Sequence, residues 1–160
     1  MISSTLDKFQ AFIEKKIYNK NWMRNVESNK KIILFDGVCN LCNGFIQFII
    51  KRDTDDVFRY ASLQGEIGQK LLLERNIDTL TTDSVVLIEP GVAYYVKSDA
   101  ALQIGSYLKG YGLISRILYL IPSSLRNIVY DLIARYRYAW FGKKDACMVP
   151  SPELKAKFLS

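Results

Sequence analysis

The sequence predicts an α/β fold: a four-stranded mixed sheet with flanking helices, an N-terminal helical arm and added C-terminal helices. Three stretches carry that prediction. The run from Ile32 to Phe35 is apolar at every position, as expected of a strand buried on both faces. From about Cys42 the pattern changes, and Phe45, Ile46, Phe48, Ile49 and Ile50 give a heavily apolar helical segment. Further on, Ser84-Val-Val-Leu-Ile-Glu89 and Val92-Ala-Tyr-Tyr-Val96 flank Pro90-Gly91, a hairpin signal.

The remaining elements follow in order. Leu6, Phe9, Ile13 and Ile17 recur at spacings of three and four, giving a helical arm over 1–28 that Ser4 or Thr5 could cap. A first strand covers about 31–36, and the helix after it ends at about Arg52, before Asp53-Thr54-Asp55-Asp56. Val57 to Ala61 reads as a second strand, parallel to the first because a helix separates them. Ser62 to Gly65 is a turn, Glu66 to Arg75 a short helix and Asn76 to Asp83 a loop. After the hairpin, Ser98 is expected to cap a helix reaching about Leu108, with Asp99 in its first turn. Another helix covers about Leu113 to Leu120. Pro122-Ser123-Ser124 restarts the chain, and Leu125, Ile128, Val129, Leu132, Ile133 and Tyr136 form a helical stripe that reads as core. Trp140 and Phe141 are expected to pin the tail onto the sheet. The organisation is an arm (1–28), a core (29–109) and a helical extension (110–160) packed on it, one domain in all.

With 160 residues, 49% of them hydrophobic, the chain can bury one real core. It has no histidine, which excludes Cys–His and Ser–His nucleophile pairs and any histidine-ligated metal. Its three cysteines are an odd number, which argues against a secreted disulfide framework. The net charge of +6 is concentrated: residues 109–144 hold seven bases and one acid, which is the whole excess. That segment reads either as a solvated basic face or as a docking surface for an acidic partner, nucleic acid or anionic lipid. The first 30 residues contain Asp7, Glu14 and Glu27 and no apolar signal region, and no apolar run approaches the ~20 residues that span a bilayer. A cytoplasmic location is the expectation.

The chemistry is expected at the junction of first strand and first helix, where Asp36-Gly-Val-Cys39-Asn-Leu-Cys42 stands. The first N–H groups of a helix lack partners and its dipole is positive there, so a cysteine in that place is favoured as thiolate, its reactive form. Cys39 is nearest the helix start and is the expected nucleophile. Cys42, three residues on, is the expected resolving thiol and the more buried of the two. Asp36 either caps the turn or acts as a general base for Cys42. Cys147 reads as a small apolar core residue, with a third redox or ligand role as the alternative.

Asp36-Gly-Val-Cys39-Asn-Leu-Cys42 resembles the Asp-x-x-Cys-x-x-Cys signature of the DCC family of thiol-disulfide oxidoreductases. Tyr60-Ala-Ser-Leu-Gln64, Asp83-Ser-Val-Val with Ser98-Asp-Ala100, and Arg137-Tyr-Ala-Trp-Phe-Gly142 leading to Cys147 and Pro150 are similar to that family too, so the resemblance covers roughly 30–150. It implies a thioredoxin-like fold with an added helical C-terminus, and a thiol-disulfide activity. The implied partners are a disulfide-containing protein or small thiol as substrate and a thiol reductant. No cofactor, metal or nucleic acid is expected, and residues 109–144 add a weak contact with anionic surfaces. Thioredoxins carry a cis-proline before the hairpin; here the loop is Leu80-Thr-Thr-Asp-Ser84. That departure keeps a metal site built from Cys39, Cys42, Cys147 and Asp36 in play; a non-enzymatic docking module that binds through the basic segment 109–144 is the other alternative.

Overall fold

A computed structural model describes residues 30–78, 84–146 and 150–159 of the chain, which divides into units 1–30 and 31–160. All that follows concerns the second unit. The expected arm over 1–28, most of the loop before the hairpin and Cys147 lie outside the described residues.

Strand β1 (Lys31–Phe35) is the centre of a four-stranded sheet. On one side it pairs in parallel with β2 (Phe58–Ser62), Ile33 opposite Tyr60. On the other it pairs antiparallel with β3 (Val86–Glu89), Ile33 opposite Leu87. Strand β4 (Ala93–Val96) closes the hairpin and forms the far edge. The order β2-β1-β3-β4 makes the sheet mixed, as expected, and consistent with a thioredoxin-like fold.

Alternation along the strands builds the core. Ile33, Phe35, Phe58, Tyr60 and Leu87 belong to one fully buried cluster with Ile46 and Ile49 of helix α1 (Asn40–Arg52) and Ala100 and Ile104 of helix α3 (Lys97–Tyr107). Ile32, Leu34, Val86 and Ile88 point the other way and are buried as well. Helix α2 (Glu66–Leu73) packs beside β2. Asp53 ends α1 and ties it to β2, its carboxylate accepting the N–H groups of Val57 at 2.7 Å and Phe58 at 3.1 Å.

Helix α3 starts directly from β4, with Val96 at its N-cap and no side-chain cap. The expected Ser98 cap is therefore corrected: the Ser98 hydroxyl bonds Asn127 Oδ1 at 2.6 Å instead. Helix α4 (Gly112–Tyr119) crosses close to α3, where a Cβ on Gly105 would meet Ser115 Oγ at 2.5 Å.

Helix α5 (Ser123–Phe141) brings the second correction. Its inward side is polar. Arg126 pairs with Asp99 at 2.9 Å, the Tyr130 hydroxyl accepts the Val85 N–H at 3.0 Å, and Arg137 pairs with Asp36 at 3.1 Å. The stripe expected in the core faces outward: Leu125, Ile128, Val129, Leu132 and Tyr136 are exposed, and Ile133, also exposed, stands at the edge of the stripe. Periodicity identifies residues sharing a face but not the direction of that face. Here the sheet is already covered by α1 and α3, and polar contacts orient α5. Trp140 and Phe141 are exposed too and do not pin the tail. Phe158 does so, with its ring against Tyr60 and Phe35 and the next N–H, of Leu159, bonded to the Tyr60 carbonyl at 2.8 Å.

Candidate active site

The turn after β1 is built around the Asp36 carboxylate, which is 3% exposed. Its Oδ1 accepts the Val38 N–H at 3.1 Å, a local turn contact, and the Gln64 amide at 2.8 Å. Its Oδ2 accepts from Arg137 at 3.1 Å and from the Tyr138 hydroxyl. Gln64 also accepts the Gly37 N–H at 3.1 Å, and the Asn43 amide donates to the Gly37 carbonyl at 3.0 Å. Side chains from the turn after β2, from α1 and from α5 thus converge on one turn. The capping role expected of Asp36 is present, with a buried ion pair added to it.

Cys39 is the N-cap of α1, and its Sγ accepts the Cys42 N–H at 3.3 Å. Both sulfurs are free thiols. One Asp36 carboxylate oxygen and the two sulfurs lie within 4.8 Å of one another. The expected burial order, however, is reversed. Cys39 has no exposed surface, whereas Cys42 is half-buried. The cause is the chain leaving α5. Gly142, at φ +81°, ends that helix and turns the backbone back over the motif. The Asn40 amide then donates to the Phe141 carbonyl at 2.9 Å, the Lys144 N–H bonds the Val38 carbonyl at 2.8 Å, and Lys143 forms a β-bridge to Cys39.

Cys42 instead forms part of the wall of a cavity of about 210 Å³. Phe35, Leu41, Phe45, Val85 and Ile133 give it apolar sides, and Asp36, Arg137 and Tyr130 add polar groups. Burial pushes the Cys42 thiol up, and the neighbouring Cys39 sulfur and Asp36 carboxylate push it further; Arg137 pulls it partly back. Burial likewise raises Tyr138, together with its hydrogen bond to Asp36.

Asp36, Cys39 and Cys42 were legible as a motif. The roles of Gln64, Tyr138 and Arg137 were not assigned from the sequence, although Gln64 and Arg137-Tyr138 stand inside two of the family-like stretches, which was the available signal.

Comparison with known proteins identifies a family. A family model described as DCC1-like thiol-disulfide oxidoreductase matches residues 33–143. The chain is 46% identical over 137 residues to "Uncharacterized protein YuxK" of Bacillus subtilis (strain 168), covering 86% of this chain and 99% of the relative. It is 39% identical over 122 residues to "DCC family protein At1g52590, chloroplastic" of Arabidopsis thaliana, covering 76% of this chain and 70% of that one. No solved structure matches.

Proposed function

Given that the chain belongs to the DCC1-like thiol-disulfide oxidoreductase family, we propose that it exchanges disulfides through a Cys39–Cys42 pair, with Cys42 as the sulfur that meets substrate. The observation that carries this reading is the clustering of both sulfurs with the Asp36 carboxylate within 4.8 Å at the end of β1. The assignment of roles rests on exposure: an incoming group in the cavity reaches Cys42, not Cys39.

In the oxidising direction a substrate thiolate attacks Cys42 Sγ of the enzyme disulfide. The S–S electron pair leaves on Cys39, where the N–H of Cys42 and the positive end of α1 receive it. A second substrate thiolate then attacks the substrate sulfur of the mixed disulfide. Substrate disulfide is released, Cys42 takes up a proton, and both enzyme sulfurs are reduced. An external disulfide reoxidises them. Run backwards, the enzyme dithiol reduces a substrate disulfide. Cys42 must then lose its proton; Asp36, the carboxylate of the cluster, can take it only by giving up one of the hydrogen bonds it accepts from Val38, Gln64, Arg137 and Tyr138. The cavity lies below the ~300 Å³ that drug-sized ligands fill, so it suits a small thiol or a side chain or two of a peptide.

Trapping tests the assignment. Cys39→Ser should hold a stable mixed disulfide on Cys42, and Cys42→Ser should lose turnover without trapping substrate. The reverse pattern would restore Cys39 as the attacking sulfur. Full activity in both variants on a model disulfide would end the redox reading.

The same cluster supports a second reading, a soft divalent ion held by Asp36, Cys39 and Cys42. Against it, the Asp36 oxygens already accept hydrogen bonds from Val38, Gln64, Arg137 and Tyr138. Stoichiometric zinc in purified protein, lost in Cys39→Ser, would favour it.

A further inference from the structure

We infer that the outward face of α4 and α5 docks onto an anionic lipid bilayer, with both helices lying at the level of the headgroups. The two helices and the break between them turn apolar residues outward: Leu113 is 70% exposed, Leu120 83% and Ile128 65%. This is a continuous run of exposed aliphatic and aromatic side chains along both helices, a patch that soluble surfaces seldom leave open. The chain's C-terminal tail does not cover it, since Phe158 is docked against Tyr60.

Charge selects the occupant. The segment 109–144 carries the protein's whole positive excess, and its single acid, Asp131, is held by Lys97 at 2.8 Å. Arg116, Arg135 and Lys144 are exposed and form no ion pair with a described acid. Arg135 stands about 100° around α5 from the centre of the apolar stripe, where a long side chain can reach headgroup phosphates while the stripe enters the acyl boundary. Trp140, stacked on Tyr136 at 5.4 Å between centroids, supplies the amphipathic rings that favour this depth.

Two other occupants fit less well. Pairing the face with a second copy about a two-fold axis would bring two sets of unpaired cations together. Crossing the bilayer is disfavoured because no single described helix is long and apolar enough, and the α4–α5 pair is bent by 113°. That bend suits two helices lying in one plane.

The test is sedimentation of the full-length protein with phosphatidylglycerol–phosphatidylcholine vesicles and with phosphatidylcholine vesicles alone. Binding should be confined to the anionic vesicles and should fall as salt screens the charges. Arg116→Gln with Arg135→Gln should weaken it about twenty-five-fold, at about fivefold for each charge. Ile128→Ser with Leu132→Ser, both solvent-facing and so compatible with folding, should abolish it. In a Trp22→Phe background the Trp140 emission should shift to the blue on binding. Absence of binding, equal binding to neutral vesicles, or a solution dimer that the serine pair dissolves would overturn the inference.

Discussion

The buried pair of Asp36 and Arg137, 2% and 4% exposed at their side chains, is where single substitutions should tell most. Removing either partner strands the other charge in a buried site. Arg137→Met should therefore cost about 3–5 kcal/mol in urea unfolding. Asp36→Leu combined with Arg137→Met should cost much less than the two single changes summed, because no charge is left uncompensated. Arg137 also pulls the Cys42 thiol down against burial. If Cys42 is the attacking thiol, Arg137→Gln should move the rise of reductase activity to higher pH; an unmoved profile would separate Arg137 from the chemistry. The residues of this site were unequally legible in the sequence. Asp36, Cys39 and Cys42 are local, so spacing alone brings them together. Arg137 lies 101 positions from its partner, and no local pattern reports such a pairing.

Elements explain why Cys39 is covered. Gly142 adopts φ +81°, and a Cβ there would meet Asn40 Nδ2 at 3.1 Å. Gly142→Val should cost about 1–3 kcal/mol. It should also loosen residues 141–144 over the motif, so that Cys39 alkylates faster while Cys42 changes little. Equal rates in variant and parent would show that this segment is not what shields the sulfur. A second junction joins β1, β3 and α3. Burial pushes the Glu89 carboxyl up, but hydrogen bonds from Tyr107 and Gln103 and the Lys31 ammonium at 3.3 Å outweigh it and hold the group below its ordinary value. A carboxyl lowered in the folded state adds stability above its unfolded pKa, and that stability is lost as pH falls through the folded value. Glu89→Gln should therefore flatten the acid limb of a stability–pH curve. Helix and strand positions were largely legible, because periods of two and 3.6 are local properties. The start of α3 was not: a strand running straight into a helix leaves Ser98 inside the first turn rather than before it.

At the scale of the whole molecule, two surfaces of α5 divide the labour. The inner one carries Arg137 to the motif, and the outer one carries an apolar face beside the basic excess. The sheet order could be anticipated because a strand–helix–strand unit followed by a hairpin has few ways to pair. The direction of the α5 stripe could not, since a run of apolar residues at helical spacing looks the same whether it seals a core or meets a partner. The measurement that tests the account most directly is a redox titration of the full chain with mass spectrometric mapping. The account predicts one two-electron transition that links Cys39 to Cys42. A disulfide routed through Cys147, or two thiols that stay reduced at every potential, would contradict it.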